Sequence, residues 1–268
     1  MTTPENRSVS FIHISDTHIG SFRDFILYDQ NTFNCTAQLI EFINEFEAPV
    51  DFLIHTGDVV NTPDPESYKL ASELFERSKH PVLFVPGNHD NPNNTLKLTR
   101  NSGLPIAELQ NHSYSLSCNG YDFLVLNCNG APEIDPHGEF TSVQKETLRE
   151  FLKSSSLNPV LFIHFPAIPI GSPWIDRDML IYDGEKLHSI LSEQKLSAVF
   201  LGHVHRRATF ISDGVHYSSA PSPVCNFSLL PSDLNAHYES VTPESFDYVT
   251  VRNSSVFVRE ITRKRIFN

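Results

Sequence analysis

Hydrophobic and polar positions follow a block pattern along this chain, in which short runs of β-branched and aromatic residues each end at a polar segment. Five such runs predict buried strands, at residues 9–14, 50–55, 81–85, 160–163 and 198–201. Apolar residues at helical spacing predict helices at residues 33–46, 67–75, 142–152 and 184–191. Further strands follow without long helices between them, at residues 208–211, 215–219, 224–227, 248–251 and 256–261. The late strands favour antiparallel pairing, so the pattern predicts mixed sheets flanked by helices.

The polar segments after the first five runs are rich in carboxylate, carboxamide and imidazole side chains. They are Asp16-Thr17-His18, Gly57-Asp58, Gly87-Asn88-His89-Asp90, the isolated His164, and Gly202-His203-Val204-His205. In a sheet covered by helices, ligands gather beyond the carboxyl ends of the strands, so these segments are expected to meet at one rim. Their oxygen and nitrogen donors suit first-row metal ions. The sequence therefore predicts a metal site assembled from the whole chain.

The spacing within two of these segments bears on how they could reach a metal. Asp16 and His18, and likewise His203 and His205, are separated by a single residue. In an extended backbone this spacing points both side chains to the same side, and we expect such a backbone here. A glycine stands directly before three of the segments' candidate ligands, where the missing Cβ permits a sharp turn.

All five segments, in this order and spacing, resemble the motifs of the calcineurin-like metallophosphoesterase superfamily. Within it, the chain is most similar to the bacterial class III cyclic-nucleotide phosphodiesterases and the related glycerophosphodiesterases. The resemblance covers residues 11–206, about three quarters of the chain. It implies an α/β fold, α+β in some schemes, built as a four-layered α-β-β-α sandwich of two mixed sheets flanked by helices.

The resemblance also implies a ligand set for two metal ions per chain. This set is Asp16, His18 and His205 for one ion, Asn88, His164 and His203 for the other, and Asp58 as the bridge between them. A hydroxide bridging the ions would be the nucleophile, because a bound metal lowers the pKa of water from about 15.7 to about 7. Manganese, iron, zinc and cobalt all accept these donors, so the sequence leaves the metal pair open.

His89 is the catalytic residue that the resemblance implies. Its imidazole would face the phosphoryl group, as a stabiliser of developing charge or as an acid for the leaving alkoxide. His89 and its neighbour Asn88 are therefore both predicted to contact the substrate. We expect Asp90 to orient the imidazole, as carboxylates beside metal sites often do.

Several aromatic residues are candidates for substrate contact. Phe165 follows the candidate ligand His164, at a position where relatives carry a second histidine. Phe22, Phe25 and Tyr28 follow the first motif on a loop expected at the mouth of the site. Trp174 is a further candidate at the rim. Packing is the commoner role for such rings, and stacking on a nucleobase is the alternative.

Charge narrows the substrate class. The chain carries 20 Lys and Arg against 32 Asp and Glu, a formal net charge of −12, which disfavours a nucleic acid polymer as partner. At the reacting centre the sign reverses, because two divalent ions, two carboxylates and a hydroxide leave about +1. A small monoanionic phosphodiester matches that charge.

Together these features predict an enzyme, a metal-dependent phosphoric diester hydrolase for small phosphodiesters. The preferred substrates are 3′,5′-cyclic nucleotides such as cyclic AMP. The alternative is a glycerophosphodiesterase or a broad-specificity phosphatase with the same metals. A catalytically inactive scaffold is disfavoured because such proteins typically lose metal ligands, and here all seven positions are filled. The net charge disfavours a nuclease.

The remaining predictions concern the whole chain of 268 residues, which we expect to form one domain, 1–268. Residues 228–246 show little periodicity and could be a loop crossing the site, an arm packing on another subunit, or an ordered surface excursion. Residues 228–268 are thus considered as a C-terminal arm or cap, and a homo-oligomer is left open. No apolar run approaches the about 20 residues of a membrane span, and the N-terminus does not resemble a signal peptide, so we expect a cytoplasmic protein.

Overall fold

The computed structural model describes residues 7–155, 159–194, 196–239 and 244–263. The strands are β1 (Ser8–Ile14), β2 (Ile26–Leu27), β3 (Gln30–Asn31), β4 (Phe52–His55), β5 (Val82–Phe84), β6 (Ile106–Glu108), β7 (Tyr114–Cys118), β8 (Tyr121–Val125), β9 (Gly138–Glu139), β10 (Val160–Phe162), β11 (Ile181–Tyr182), β12 (Ala198–Leu201), β13 (Ala208–Ser212), β14 (Val215–Ser219), β15 (Asn226–Phe227), β16 (Tyr238–Glu239), β17 (Ser245–Arg252) and β18 (Ser255–Thr262). The helices are α1 (Thr32–Glu45), α2 (Pro65–Phe75), α3 (Pro92–Arg100), α4 (Ser142–Ser154), α5 (Pro173–Asp178) and α6 (Gly184–Glu193).

Two mixed sheets form the centre of the molecule. The first has the order β18-β17-β1-β4-β5, and the second has the order β13-β14-β12-β10-β8-β7-β6. Strands β1, β4 and β5 are parallel to one another, as are β8, β10, β12 and β14. The outer strands of both sheets are added in antiparallel fashion. The predicted mixed sheets are therefore confirmed.

Phenylalanine rings fill the space between the two sheets. Phe11 and Phe52 of the first sheet stack with ring centroids 5.2 Å apart, and Phe123 and Phe162 of the second stack at 5.8 Å. The two pairs meet edge to face, with Phe52 and Phe123 5.2 Å apart. All four side chains are fully buried, and each contributes about 1.5–3 kcal/mol by leaving water. This layer fixes how the two sheets face each other.

Helices cover the outer face of each sheet and complete the four layers. Apolar residues of α1 and α2 share a core with the first sheet, and those of α4 and α6 share one with the second. Capping side chains explain where the helices begin: Asn31 accepts a hydrogen bond from the Asn34 N–H, and Thr141 forms a capping box with Gln144. The four predicted helices all form, with ends shifted by at most two residues.

One predicted pairing is wrong in part. Strands β13 and β14 are antiparallel, as are β17 and β18, but β14 pairs with β12 in parallel. The reason is strand order: β13 lies at the edge of the sheet, and the hairpin returns β14 into the place beside β12. Alternation of hydrophobic and polar residues indicates which face of a strand is buried. It does not indicate whether the adjacent strand runs parallel or antiparallel.

The segment that follows β14 crosses the carboxyl ends of the strands. Strands β15 and β16 pair across it, and the Trp174 indole N–H and an Arg177 guanidinium N–H donate to the carbonyls of Ser228 and Leu234. Residues 240–243 lie outside the described residues. After them, β17 joins the first sheet beside β1. None of the helices in the described ranges has the length and apolar character needed to cross a membrane.

Candidate metal centre

Two groups of buried side chains converge at the carboxyl ends of the central strands. The first group is Asp16, His18, Asp58 and His205, and the second is Asp58, His164 and His203. Within each group, one nitrogen or oxygen atom per residue lies within 4.8 Å of the others. Asp58 belongs to both groups, which is the arrangement required of a bridging ligand. The sequence prediction that these loops meet is confirmed by this geometry.

Several nitrogen and oxygen atoms within the two groups lie so close together that they cannot all carry protons. His18 Nε2 lies 3.0 Å from His205 Nε2, and His164 Nε2 lies 3.1 Å from His203 Nδ1. The Asp58 carboxylate is 3.3 Å from His164 Nε2. Asn88 joins the second group through Oδ1, 3.3 Å from the same His164 nitrogen. Lone pairs that face one another in this way are suited to share a cation.

Hydrogen bonds on the far sides of the rings fix which atoms face inward. His164 Nδ1 donates to the Thr56 carbonyl at 2.7 Å, so Nε2 is the ring nitrogen that faces the second group. His205 Nδ1 lies 3.1 Å from the Cys225 thiol sulfur, and its ring stacks on Phe227 with centroids 4.1 Å apart. Asn88 donates from Nδ2 to the Asp135 carboxylate at 2.9 Å, which leaves its oxygen directed at the second group.

The backbone of the ligand-bearing loops is left-handed where an extended chain was predicted. Asp16, His18, Asp58, His203 and His205 have φ values of 56°, 44°, 54°, 68° and 52°. Aspartate and histidine are among the residues that tolerate this region best. Both members of each pair still converge because both adopt the same unusual conformation. Non-glycine residues in sparsely populated regions of this kind cost about 1–3 kcal/mol each, and they cluster at functional sites.

Close backbone approach explains one of the glycines. A Cβ atom on Gly87 would lie 2.2 Å from Asp58 Oδ1 and 2.3 Å from the Asp58 backbone nitrogen, so no side chain fits there. The same Asp58 oxygen accepts a hydrogen bond from the His89 N–H at 3.0 Å. The third loop therefore packs directly on the bridging position.

Electrostatics inside the site favour a bound cation. Burial, assisted by the nearby Asp58 carboxylate, raises the pKa of Asp16 to about 7. Burial alone would lower the pKa of His164, but the carboxylates of Asp58 and Asp16 outweigh it and raise that pKa to about 9. Burial also opposes ionisation of Asp58, yet the His164 imidazole holds its pKa well below the usual range. Two buried carboxylates thus compete for positive charge, and divalent cations would supply it.

Two cavities open beside this centre. The first, of about 530 Å³, is lined by candidate ligands and by aromatic side chains of Tyr28, Trp174, Phe227 and Tyr238. The Tyr28 and Tyr238 rings lie 4.3 Å apart. Asn235 and Ala236 also line it, so the segment between β15 and β16 forms part of the wall. Of the three alternatives for residues 228–246, the loop crossing the site agrees with the described part.

The second cavity, of about 550 Å³, lies beside the same centre but has a different lining. It shares Asn88 and His89 with the first cavity. Its remaining wall is rich in carboxamides, from Asn61, Asn111, Asn127 and Asn129. Sequence reasoning missed it because these asparagines come from three loops that share no motif.

The structure separates the aromatic residues that were predicted to contact substrate. Tyr28 and Trp174 line the first cavity. Phe22 and Phe25 contact each other at 5.7 Å outside both cavities, and Phe22 is 57% exposed. Phe165 is fully buried against the rings of His164 and His203, with both centroids 4.8 Å away. The predicted substrate contact of Phe165 is therefore wrong, because its ring supports the imidazoles from behind.

The predicted role of Asp90 is also wrong. Its carboxylate accepts hydrogen bonds from the backbone N–H groups of Val59, Val60 and Gly87. The His89 ring is held instead by the backbone of Asn61, whose carbonyl accepts from Nδ1 at 2.8 Å. Asp90 thus joins the second and third ligand loops, and a main-chain carbonyl orients the imidazole.

Comparisons with known proteins find phosphodiesterases among the relatives of this chain. A probable cyclic nucleotide phosphodiesterase of Xenorhabdus bovienii is 24% identical, over 82% of this chain and 87% of that protein. The 3′,5′-cyclic adenosine monophosphate phosphodiesterase of Escherichia coli K12 is 23% identical, over 88% and 82%. A probable glycerophosphodiester phosphodiesterase of Arcobacter nitrofigilis is 27% identical, over 87% and 85%.

The fold has counterparts among solved structures. GAP50, described as the anchor in the inner membrane complex of Plasmodium, superposes with a TM-score of 0.59 at 12% identity, covering 97% of this chain and 86% of that one. At that identity the likeness concerns the fold alone. The sequence model described as calcineurin-like phosphoesterase matches residues 9–207, which hold all five ligand-bearing loops. Because that match spans most of the chain and the whole candidate metal centre, the chain belongs to the calcineurin-like phosphoesterase family.

Proposed function

We propose that this protein is a phosphodiesterase that depends on two metal ions and hydrolyses small phosphodiesters, with 3′,5′-cyclic nucleotides such as cyclic AMP as the preferred class. The observation that carries the proposal is the pair of buried ligand groups that share Asp58 and open on an aromatic cavity. Relatives whose names specify cyclic nucleotide and glycerophosphodiester phosphodiesterases support the reaction type. We further propose that the enzyme is cytoplasmic and a single domain.

The proposed ligands follow the two groups. They are Asp16, His18 and His205 for one ion, Asn88, His164 and His203 for the other, and Asp58 for both. When bound, two ions of manganese, iron, zinc or cobalt would supply Lewis-acid activation of the phosphoryl group and of the attacking water. The chain's own contribution is to hold seven donors close together before any ion binds, with the His164 and His205 rings oriented by their contacts with the Thr56 carbonyl and the Cys225 thiol.

His89 is proposed as the residue that assists the leaving group. Its Nδ1 donates to the Asn61 carbonyl, so Nε2 is the ring atom available to the substrate. Burial would lower the pKa of His89, but the Asp58 carboxylate and the Asn61 carbonyl outweigh it and raise the pKa. An imidazolium at this position could donate a proton to the departing alkoxide or stabilise charge on the phosphoryl oxygens.

The experiment that tests this function is a turnover panel on protein loaded with defined metals. The substrates are cyclic AMP, bis(p-nitrophenyl) phosphate, p-nitrophenyl phosphate and double-stranded DNA. We expect turnover of the two small diesters to exceed that of the monoester, and DNA to be left intact because the chain carries a net charge of −12. Rapid cleavage of DNA without turnover of any small diester would overturn the proposal.

Asp135 provides a first specific prediction, which concerns metal affinity. Its carboxylate accepts a hydrogen bond from Asn88 Nδ2 and thereby orients the carboxamide, so Asp135→Ala leaves that amide free to rotate. We expect affinity for the second ion to fall by about 10–100-fold, the range typical of lost partners behind metal ligands. Competition with a chromogenic chelator measures the affinity directly.

The matched variants for this prediction lie at the same site. Asp135→Asn keeps an oxygen that can accept from Asn88, so most of the affinity should return. Glu133→Ala removes an exposed carboxylate from the same loop and should leave the affinity unchanged. Equal affinities for wild type and Asp135→Ala would show that the Asn88 amide is held without this contact.

Tyr28 provides a second prediction, which concerns substrate choice. Tyr28→Ala removes a ring from the first cavity, and aromatic stacking on a base contributes about 1–3 kcal/mol. We expect the KM for cyclic AMP to rise about tenfold, while the KM for ethyl p-nitrophenyl phosphate, which has no base, changes little. Tyr28→Phe and the off-cavity variant Phe22→Ala are the controls. Equal changes for both substrates would indicate lost packing and contradict base stacking.

A further inference from the structure

We propose that Asn235 is a specificity-determining residue, whose carboxamide recognises the edge of the nucleobase in the first cavity and so sets the preference among cyclic nucleotides. This inference deepens the proposed function and rests on it, because it concerns the base of the same substrates. Stacking on the aromatic rings of the cavity would bind any base, since every base has a flat face. The choice among bases is then made by polar groups that reach the edge of the base.

Most polar side chains of the first cavity already have partners or roles. Its inner wall is formed by candidate metal ligands and by the proposed acid. Arg177 donates from Nε to the Asp178 carboxylate at 2.7 Å and from Nη1 to the Leu234 carbonyl at 3.2 Å. The Trp174 indole N–H donates to the Ser228 carbonyl at 3.2 Å. These groups are therefore held by contacts within the chain.

Asn235 differs from these residues. It is exposed at the wall of the first cavity, and its carboxamide forms no hydrogen bond with any residue in the described ranges. The hydroxyls of Tyr28 and Tyr238 are also without a hydrogen bond there, but each presents a single atom. A carboxamide presents a donor and an acceptor on two separate atoms, which matches the adjacent donor and acceptor on the edge of a base. Asn235 is thus the lining residue whose free groups suit base recognition best.

The backbone on both sides of Asn235 is held in place. Directly before it, the Leu234 carbonyl accepts the guanidinium hydrogen bond described above. Shortly after it, the His237 carbonyl accepts from the Ser228 N–H at 2.7 Å, where β15 and β16 pair. Tyr238 of the same segment brings its ring into the same cavity. The carboxamide is therefore mounted on an ordered segment beside a stacking ring, which reduces the entropic cost of binding a base.

A carboxamide and a carboxylate recognise different purines. Toward adenine, the amide oxygen accepts from the N6 amino group while the amide N–H donates to a ring nitrogen. Toward guanine, the amide oxygen accepts from N1–H while the amide N–H donates to O6. A carboxylate only accepts, so it suits the N1–H and N2 amino groups of guanine but opposes the ring-nitrogen lone pair of adenine. Exchange of Asn235 for aspartate should therefore shift the preference toward guanine.

The test measures kcat/KM for cyclic AMP and cyclic GMP with wild type and Asn235→Asp, both loaded with the same metals. We expect the ratio of the cyclic AMP value to the cyclic GMP value to fall by about 10–100-fold in the variant, because only adenine loses its matched pair of hydrogen bonds. Asn235→Ala loses the pair toward both purines. Its kcat/KM for each nucleotide should fall about tenfold relative to that for ethyl p-nitrophenyl phosphate, which has no base.

Ala236→Asp is the matched control for the added charge. Ala236 is the exposed neighbour of Asn235 and lines the same cavity, so this variant introduces a carboxylate there while the carboxamide stays in place. Repulsion between the new carboxylate and the phosphodiester lowers kcat/KM for both nucleotides alike. The ratio of cyclic AMP to cyclic GMP should therefore remain that of wild type.

The outcomes separate this inference from the function on which it rests. An unchanged ratio in Asn235→Asp would overturn the role of Asn235 and leave the cyclic-nucleotide phosphodiesterase intact. An equal fall of the ratio in Ala236→Asp would also overturn it, because added charge alone would then account for the change. Absence of turnover of both nucleotides by wild-type protein shown to contain two ions would overturn the proposed function itself, and base recognition with it.

Discussion

Replacing Asp58 with alanine will reduce the metal content from two ions per chain to fewer than one and will remove nearly all phosphodiester hydrolysis. Asp58 is the residue common to both ligand groups, and its carboxylate lies 3.3 Å from His164 Nε2 and 3.6 Å from His18 Nε2. Its loss removes a negative charge from the inner side of each group at once. We expect kcat/KM to fall by about 10³-fold or more, because the chemistry that the ions supply disappears with them.

Elemental analysis after gel filtration measures the ion content, and circular dichroism shows whether the variant is folded. Asp24→Ala, at an exposed aspartate on the loop after the first motif, is the matched control and should retain two ions and full activity. Full occupancy of both positions in folded Asp58→Ala protein would contradict the bridging role.

Replacing His89 with alanine will lower kcat by about 10²–10⁴-fold, the range typical of general acid–base catalysis, with both ions retained. His89 lines both cavities, yet it does not belong to either group of converging ligand atoms. Its ring lies 4.8 Å from the His18 ring, at an interplanar angle of 83°. The variant therefore separates loss of chemistry from loss of metal.

A leaving-group comparison identifies what His89 does. If its imidazolium donates a proton, the defect should be large for an alkyl leaving group and smaller for p-nitrophenolate, which departs without a proton. Equal defects for both leaving groups would instead indicate stabilisation of charge on the phosphoryl oxygens. His216→Ala, at a half-buried histidine away from the site, serves as the control. Loss of an ion from His89→Ala protein would make His89 a ligand and contradict the assignment.

The sequence was sufficient to predict which loops come together at the candidate metal centre. Each ligand segment directly follows a buried strand, and the carboxyl ends of β1, β4, β5, β10 and β12 do meet. The chemistry of the donors and the chain order of the loops carried that prediction. The contacts that support the donors were not predictable in the same way. Asp135 pairs with Asn88 across 47 positions, and nothing in the local pattern connects the two.

The region between the third ligand segment and β10 was the least predictable part of the fold. Helix α3 buries only Thr95, Leu96 and Thr99, so it shows too few apolar positions to reveal a helical period. Strand β6 is the edge strand of its sheet and has no buried residue, and β7 beside it buries only two of its five residues. The predicted substrate contact of Phe165 was wrong for a related reason. Hydrophobicity indicates that a ring is buried, but it does not indicate on which side of a neighbouring histidine the ring packs.

The left-handed backbone at five ligand positions restricts how this centre could be re-engineered for another metal. A designer who wishes to introduce softer or longer donors would turn to cysteine or glutamate, but these residues lack the ease with which aspartate, asparagine and histidine adopt positive φ. Each such exchange would carry a conformational cost of about 1–2 kcal/mol before any ion is bound. Changes in metal preference are therefore more accessible at Asn88 and His164, which are not among the positive-φ residues. The main chain thus divides the seven proposed ligands into five positions that resist exchange and two at which substitution is less constrained.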